Sequence, residues 1–139
     1  MENLSIEFDQ RLDIEFLQSI YEDDMEHALI VFSQFLQMAP PLMKEIEESY
    51  KSGVVEPFRQ KVHKMKPVFS FVGLTQLTEK AEILEKKCKE ISLIYEISDL
   101  YNELKNQYSE SFPIIQNEVK RLEEPTLPTG QAGYRQAGK

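Results

Sequence analysis

The stretch Arg59-Gln-Lys-Val-His-Lys-Met-Lys-Pro-Val-Phe-Ser-Phe-Val-Gly73 has apolar residues at the spacing of a helix. At roughly 100° per residue, four of them gather on one side: Val62, Met65, Phe69 and Val72. His63 falls on the opposite side. The pattern therefore predicts an amphipathic helix that begins near Pro57, ends near Gly73, and presents the histidine outward.

Four other segments show helical spacing. A short one covers about 13–21, and the next, capped by Asp23 or Asp24, ends near Ser52-Gly53. Pro40-Pro41 leaves open whether this second segment is one kinked helix or two helices. A further helix begins at Thr75 or Thr78, and the last runs from about 98 to 122, where Pro113 is expected to interrupt and bend it.

These segments predict an all-α fold, an antiparallel four-helix bundle with a short additional N-terminal helix. We expect the bundle to cover residues 10–122, since no segment has the alternating pattern of a strand. Residues 123–139 contain almost no packing residues and several Pro and Gly, and we interpret them as a flexible C-terminal tail.

Charge and composition exclude several classes of function. The formal net charge of −8 argues against a general affinity for nucleic acid or for an anionic membrane surface. No apolar run approaches the roughly 20 residues that span a membrane. The single cysteine, Cys88, cannot form an internal disulfide. We expect a cytoplasmic protein, and a monomer because like charge keeps copies apart.

The predicted face around His63 combines a nucleophile with cations. A solvent-facing imidazole is largely neutral at pH 7 and can act as a nucleophile. Lys66 lies one helical turn away, and Arg59 and Ser70 are also on this side. Residues 57–74 carry four basic and no acidic side chains, a local charge of +4 that favours a phosphoryl group and an acidic partner.

Apolar residues on the same side predict a docking surface. This rim consists of Pro67, Phe71 and Leu74, next to Lys64, with Gly73 allowing a close approach or a turn where the helix ends.

Each of these features also has a purely structural interpretation. An outward histidine is usually a surface residue, flanking lysines usually form a solvated face, and Gly73 alone would be an ordinary helix stop. Phe71 and Leu74 could instead be buried under the next helix. The other histidine, His27, has no nearby cluster, and Cys88 is expected to be a small core residue.

The combination resembles the histidine phosphotransfer (HPt) family. It rests on His63-x-x-Lys66 followed by a glycine ten positions after the histidine, and on an upstream segment, residues 21–40, similar to the family's first long helix. The resemblance covers about residues 10–122. Two positions depart from the family pattern: Pro67 stands where a small residue is usual, and Val62 where alanine is more usual.

The resemblance implies a phosphocarrier without autonomous kinase activity. A receiver domain would bring a phospho-aspartate and its own Mg²⁺ to His63, Lys66 would steady the transferred charge, and the steps would reverse toward a second receiver. The implied partners are response-regulator receiver domains and a hybrid histidine kinase. The residues show no nucleotide-binding motif and no metal-ligand cluster, so we expect no cofactor.

Three alternatives stay open at this point. The chain could be an adaptor of the same fold that binds receivers without accepting phosphate, or a purely structural helical domain. It could also be the C-terminal phosphotransfer module of a hybrid sensor kinase.

Overall fold

The computed structural model describes residues 6–124, and this part of the chain folds as helices without a strand. The helices are listed here in chain order: α1 Ile14–Tyr21, α2 Met25–Ser52, α3 Val55–Ser70, α4 Thr75–Cys88 and α5 Ser98–Glu123, with a 3-10 turn at Ile94–Ile97 before α5. The all-α bundle with a short N-terminal helix is therefore confirmed.

Local signals set the start of α1 and both ends of α2. Asp13 caps α1 by accepting a hydrogen bond from the Phe16 amide, and Asp24 caps α2 through the His27 amide. Gly53 ends α2 with a φ of 81°, a left-handed conformation that suits glycine. α2 continues through both of its prolines as one helix, which settles the question that the sequence left open.

Two helix predictions differ from the structure. α3 ends at Ser70, three residues before Gly73, because residues 71–74 form the turn into α4. α5 runs through Pro113 without interruption. A proline in a long helix removes one intrahelical hydrogen bond, and here the packing of the flanking turns outweighs that loss.

The four long helices form a ring around a common core. α3 packs against α2 and α4, and α5 packs against the same two helices, so α2 and α4 lie diagonally across the bundle. Short connections at 53–54 and 71–74 make the neighbours antiparallel. The core contains large, fully buried side chains such as those of Phe32, Phe58 and Phe69.

The fold begins earlier than the predicted residue 10. Ile6, Phe8 and Leu12 are buried in the core, so the segment before α1 belongs to the bundle. The predicted tail differs at its start, since Glu123 is the last residue of α5, and from residue 125 onward that prediction lies outside the described residues. Within residues 6–124, no helix is both long and apolar enough to cross a membrane.

The N-terminal segment braces the turn that follows α3. The Asp13 amide donates to the Gly73 carbonyl at 2.9 Å, and the Tyr21 hydroxyl donates to the Phe71 carbonyl at 2.7 Å. Gly73 has a φ of 79°, and a Cβ there would lie 2.6 Å from Leu17 Cδ1. Glycine is required at this position on both counts.

Candidate functional site

His63 lies in the middle of α3 on its solvent side. Its side chain is 61% exposed, whereas Val62 and Met65 beside it are fully buried. The helix thus places the imidazole outward by the same periodicity that buries its neighbours. This confirms the predicted orientation of the helix.

A glutamate on α4 contacts the imidazole. Glu85 Oε2 lies 2.9 Å from His63 Nδ1, and Glu85 is only 7% exposed. Antiparallel packing of α3 against α4 brings together these two residues, which are 22 positions apart in sequence.

Glu85 is held in its ionised form. Burial raises the pKa of its carboxyl, but hydrogen bonds and charge from Lys66, with a further contribution from His63, more than offset this effect. The pKa therefore lies below its ordinary value. An ionised carboxylate can only accept hydrogen bonds, so the contact places the imidazole proton on Nδ1.

Cations from α3 surround the same carboxylate. Lys66 Nζ lies 2.7 Å from Glu85 Oε1 and 2.7 Å from Glu82 Oε1, and Arg59 Nη1 lies 3.1 Å from Glu85 Oε2. Hydrogen bonds to Glu82 and then Glu85 raise the pKa of Lys66 above its ordinary value. His63, Lys66 and Arg59 thus meet at one glutamate, and we call these four residues the Glu85 network.

The predicted charge of +4 on this face is largely balanced by carboxylates of neighbouring helices and of the first turn of α3. Besides these pairs, Lys61 lies 3.8 Å from Glu45 and Arg59 also pairs with Glu56. Lys64 has no carboxylate within 4.0 Å among residues 6–124. The prediction of an unbalanced basic face was wrong because it counted only residues 57–74, which leaves out Glu56 in the first turn of α3 and the carboxylates of α2 and α4.

The apolar rim is only partly exposed. Pro67 is exposed and Phe71 is 48% exposed, with Ser70 half-buried between them. Leu74 is only 6% exposed and packs in the core, and Gly73 is buried against Leu17. The prediction that Leu74 belongs to the exposed rim was wrong, because α3 ends before this residue and the turn folds inward against α1. Gly73 provides the close approach and the turn that were predicted for it.

Sequence reasoning missed Glu85 and Glu82. A signal was present in α4, because Glu85 follows Leu84 and lies within about 40° of the stripe formed by Leu77, Ala81 and Leu84. A carboxylate at the edge of a buried stripe needs a cationic partner. The periodicity does not say which helix supplies that partner.

The sequence model of the Hpt domain family matches residues 31–124. That match covers more than half of the chain, including all of α3, α4 and α5. The chain belongs to the Hpt domain family. No curated protein and no solved structure matches it.

Membership in the family gives the domain a general role. Hpt domains are phosphotransfer-capable domains of two-component systems, and they interact with receiver domains and kinases of phosphorelays. The match begins within α2. It therefore leaves out α1 and the two residues that donate hydrogen bonds to the turn after α3, Asp13 and Tyr21. In this Hpt domain, residues 6–124 contain no group of three or more side chains placed to hold a metal ion.

Proposed function

We propose that this Hpt domain carries a phosphoryl group on Nε2 of His63, accepting it from a receiver-domain aspartate and passing it to another receiver. The observation that carries the proposal is the 2.9 Å contact between Nδ1 of an exposed histidine and the buried, ionised Glu85. With the proton on Nδ1, the lone pair lies on Nε2, at the far side of the ring.

The transfer balances without an added base. The Nε2 lone pair attacks phosphorus, the N–P bond forms, and the P–O bond to the aspartate breaks so that its carboxylate leaves. The ring keeps the Nδ1 proton and gains positive charge. Glu85 accepts that proton's hydrogen bond throughout, so its negative charge stabilises the phosphorylated ring more than the free one.

We assign Lys66 to the stabilisation of the phosphoryl group. Lys66 lies one turn from His63, and its side chain is only 19% exposed because Glu82 and Glu85 hold its ammonium. A phosphoryl group on the ring adds a third anion close to this ammonium. Phosphoryl transfer depends mostly on positioning and charge stabilisation, which a lysine held in this way provides.

The proposed docking surface for receivers surrounds the histidine. It combines the exposed apolar side chains of Pro67 and Phe71 with Arg59, Lys64 and Ser70. An apolar patch with a polar border is typical of protein interfaces. The buried positions, Gly73 and Leu74, support this surface from beneath by fixing the turn after α3.

The proposal includes the partners and the compartment. We expect a hybrid histidine kinase upstream and receivers on both sides, with no autonomous kinase activity in this domain. Cys88 is buried and is the single cysteine, which fits a reducing compartment such as the cytoplasm.

The test is transfer from phosphorylated receivers to the wild-type chain and to His63→Gln. We expect an acid-labile label on the wild-type chain and none on His63→Gln, because an amide side chain cannot form the N–P bond. His27→Gln is the matched control, since His27 is the other histidine of the chain and lies on α2, away from the Glu85 network.

Two results would contradict the proposal. Label on His63→Gln would place the phosphoryl group on another residue. Receiver binding without label on the wild-type chain would make the domain an adaptor.

A further inference from the structure

Lys66 contacts two carboxylates that differ in what else they touch. Its ammonium lies 2.7 Å from Glu85 Oε1 and 2.7 Å from Glu82 Oε1. The other oxygen of Glu85 contacts the ring of His63. The ion pairs of Glu82 within residues 6–124 are with Lys66 and Lys86. Glu82 is therefore linked to the histidine through Lys66 rather than by a contact of its own.

We propose that Glu82 is a positioning residue that holds Lys66 away from a phosphoryl group on His63 and so shifts the transfer equilibrium toward the receiver. The inference rests on the proposed function of His63 and adds a regulation of that same site. It makes this domain one that passes its phosphoryl group on readily instead of storing it.

The ammonium can reach either Glu82 or a phosphoryl group on the ring. The ring and the ammonium contact the two oxygens of one carboxylate, at 2.9 Å and 2.7 Å, so a phosphoryl group on His63 falls within reach of the long Lys66 side chain. A lysine ammonium has three rotatable donors on a flexible stem, and it changes partner by rotation of that stem. Glu82 keeps Lys86, 3.5 Å away and one turn along α4, when Lys66 leaves it.

The ion pairs around Lys66 are balanced before any transfer. Three cations meet three carboxylates, namely Arg59, Lys66 and Lys86 with Glu56, Glu82 and Glu85. A phosphoryl group must therefore compete with a carboxylate for Lys66. Glu82 is the easier of the two to displace, since its side chain is 43% exposed and that of Glu85 is 9% exposed. Solvent weakens an ion pair at an exposed carboxylate.

The pair of Lys66 with Glu82 favours the unphosphorylated state. In the transfer, the N–P bond at Nε2 of His63 forms and the P–O bond to the receiver aspartate breaks. Lys66 stays protonated and Glu82 stays ionised, since the hydrogen bond between them moves the pKa of each group away from neutral pH. Their contact is complete before the transfer and is given up when the ammonium turns to the phosphoryl oxygens. An interaction that is stronger in the reactant than in the product lowers the equilibrium constant for phosphorylation.

The test is the equilibrium constant for transfer between one phosphorylated receiver and the full chain. It is read from the ratio of labelled chain to labelled receiver once that ratio is constant. Glu82→Gln keeps the shape of the side chain and removes its charge. The constant should rise about twofold to fivefold toward phosphorylated His63, the size expected for a partly exposed ion pair. Because an equilibrium constant depends only on the free species, weaker docking of the receiver does not change it.

Glu79→Gln is the matched control. Glu79 is exposed on the same helix, one turn earlier, and pairs with no cation among residues 6–124. Its variant loses the same charge and should keep the equilibrium constant of the wild type.

The effect of Glu82 should also depend on Lys66. In a Lys66→Ala background, Glu82→Gln should shift the constant by less than about twofold, because no ammonium is left to release. A full shift in that background would show that Glu82 acts by its charge alone and would overturn its positioning role. The proposal is also overturned if the wild type takes label and Glu82→Gln leaves its equilibrium constant unchanged or lowers it. Absence of label from the wild type would instead overturn the proposed function, and this inference with it.

Discussion

Two glutamates, Glu85 on α4 and Glu118 on α5, are buried to a similar degree, at 7% and 3% exposure, yet their pKa values move in opposite directions. Burial raises the pKa of Glu118, and the hydrogen bond and charge of Arg121 only partly offset it. Burial also raises the pKa of Glu85, but Lys66 and His63 outweigh it. The balance between burial and neighbouring cations therefore sets the direction of each pKa shift.

The two sites also differ in what their partners can do. Glu118 accepts from the Asp9 amide and pairs with Arg121, which also donates to the Glu7 carbonyl, so this glutamate fastens the N-terminal segment to α5. Glu85 holds an exposed imidazole instead. A buried carboxylate is structural when its partners are backbone and a fixed cation, and it can support chemistry when one partner is a solvent-facing nucleophile.

The largest effect is expected for Glu85→Gln on phosphotransfer. The amide has no negative charge to hold the proton on Nδ1 or to stabilise the phosphorylated ring. The rate of transfer to His63 should fall at least about tenfold. Losses of this size are typical when a carboxylate that orients a functional histidine is removed from other proteins. The measurement is the rate of label transfer from a phosphorylated receiver.

Glu82→Gln is the matched control for that variant. It changes the same residue type on the same helix and also contacts Lys66, but it does not contact His63. Equal losses of rate in both variants would show that Glu85 acts only through Lys66.

A smaller effect is expected for Lys66→Ala, which gives Glu85 an environment more like that of Glu118. Without the ammonium, fewer cations offset the effect of burial, so the pKa of Glu85 should rise. Transfer should slow by about threefold to tenfold, a cost of about 1 kcal/mol. In a pH–rate profile, the acid-side decline should move to higher pH, because Glu85 must be ionised.

Lys64→Ala serves as the comparison for this profile. Lys64 has no carboxylate within 4.0 Å among residues 6–124, so its removal should leave the acid-side decline in place even if receiver docking weakens. An unmoved decline in Lys66→Ala would contradict the assigned source of the Glu85 pKa.

The smallest effects are expected in stability. The contributions of the two glutamates to the free energy of unfolding should change in opposite directions with pH. The pKa of Glu85 is lowered in the folded state, so its contribution is present above the ordinary value of 4.5 and is lost as pH falls through the folded pKa. The pKa of Glu118 is raised, so stability is lost as pH rises from 4.5 through its folded pKa.

Urea unfolding of Glu85→Gln and Glu118→Gln at several pH values measures this difference. At pH 7 we expect Glu85→Gln to lower the free energy of unfolding by about 1–3 kcal/mol and Glu118→Gln to change it by less than about 1 kcal/mol. As pH falls, the Glu85→Gln variant should gain stability relative to the wild type, and the Glu118→Gln variant should lose stability relative to it. Parallel trends would show that the two carboxylates are in equivalent environments.

The helices could be predicted from sequence because each rests on local information. Periodic apolar residues, the capping Asp24 and the left-handed Gly53 act within a few residues of where they stand. The end of α3 could not be placed, because Gly73 is fixed by contacts with Asp13 and Leu17, which are about sixty residues away. Leu74 was assigned to the surface for the same reason.

The sequence by itself determined that this chain is a helical bundle, that His63 faces outward from a buried stripe, and that a lysine lies one turn away. These follow from the repeat of a single helix. Only the tertiary structure decided that Glu85 holds Nδ1 of His63, that Lys66 and Arg59 share the same carboxylate, and that Leu74 is buried. Each of these contacts joins two helices, and the periodicity of one helix carries no information on which side chain its neighbour supplies.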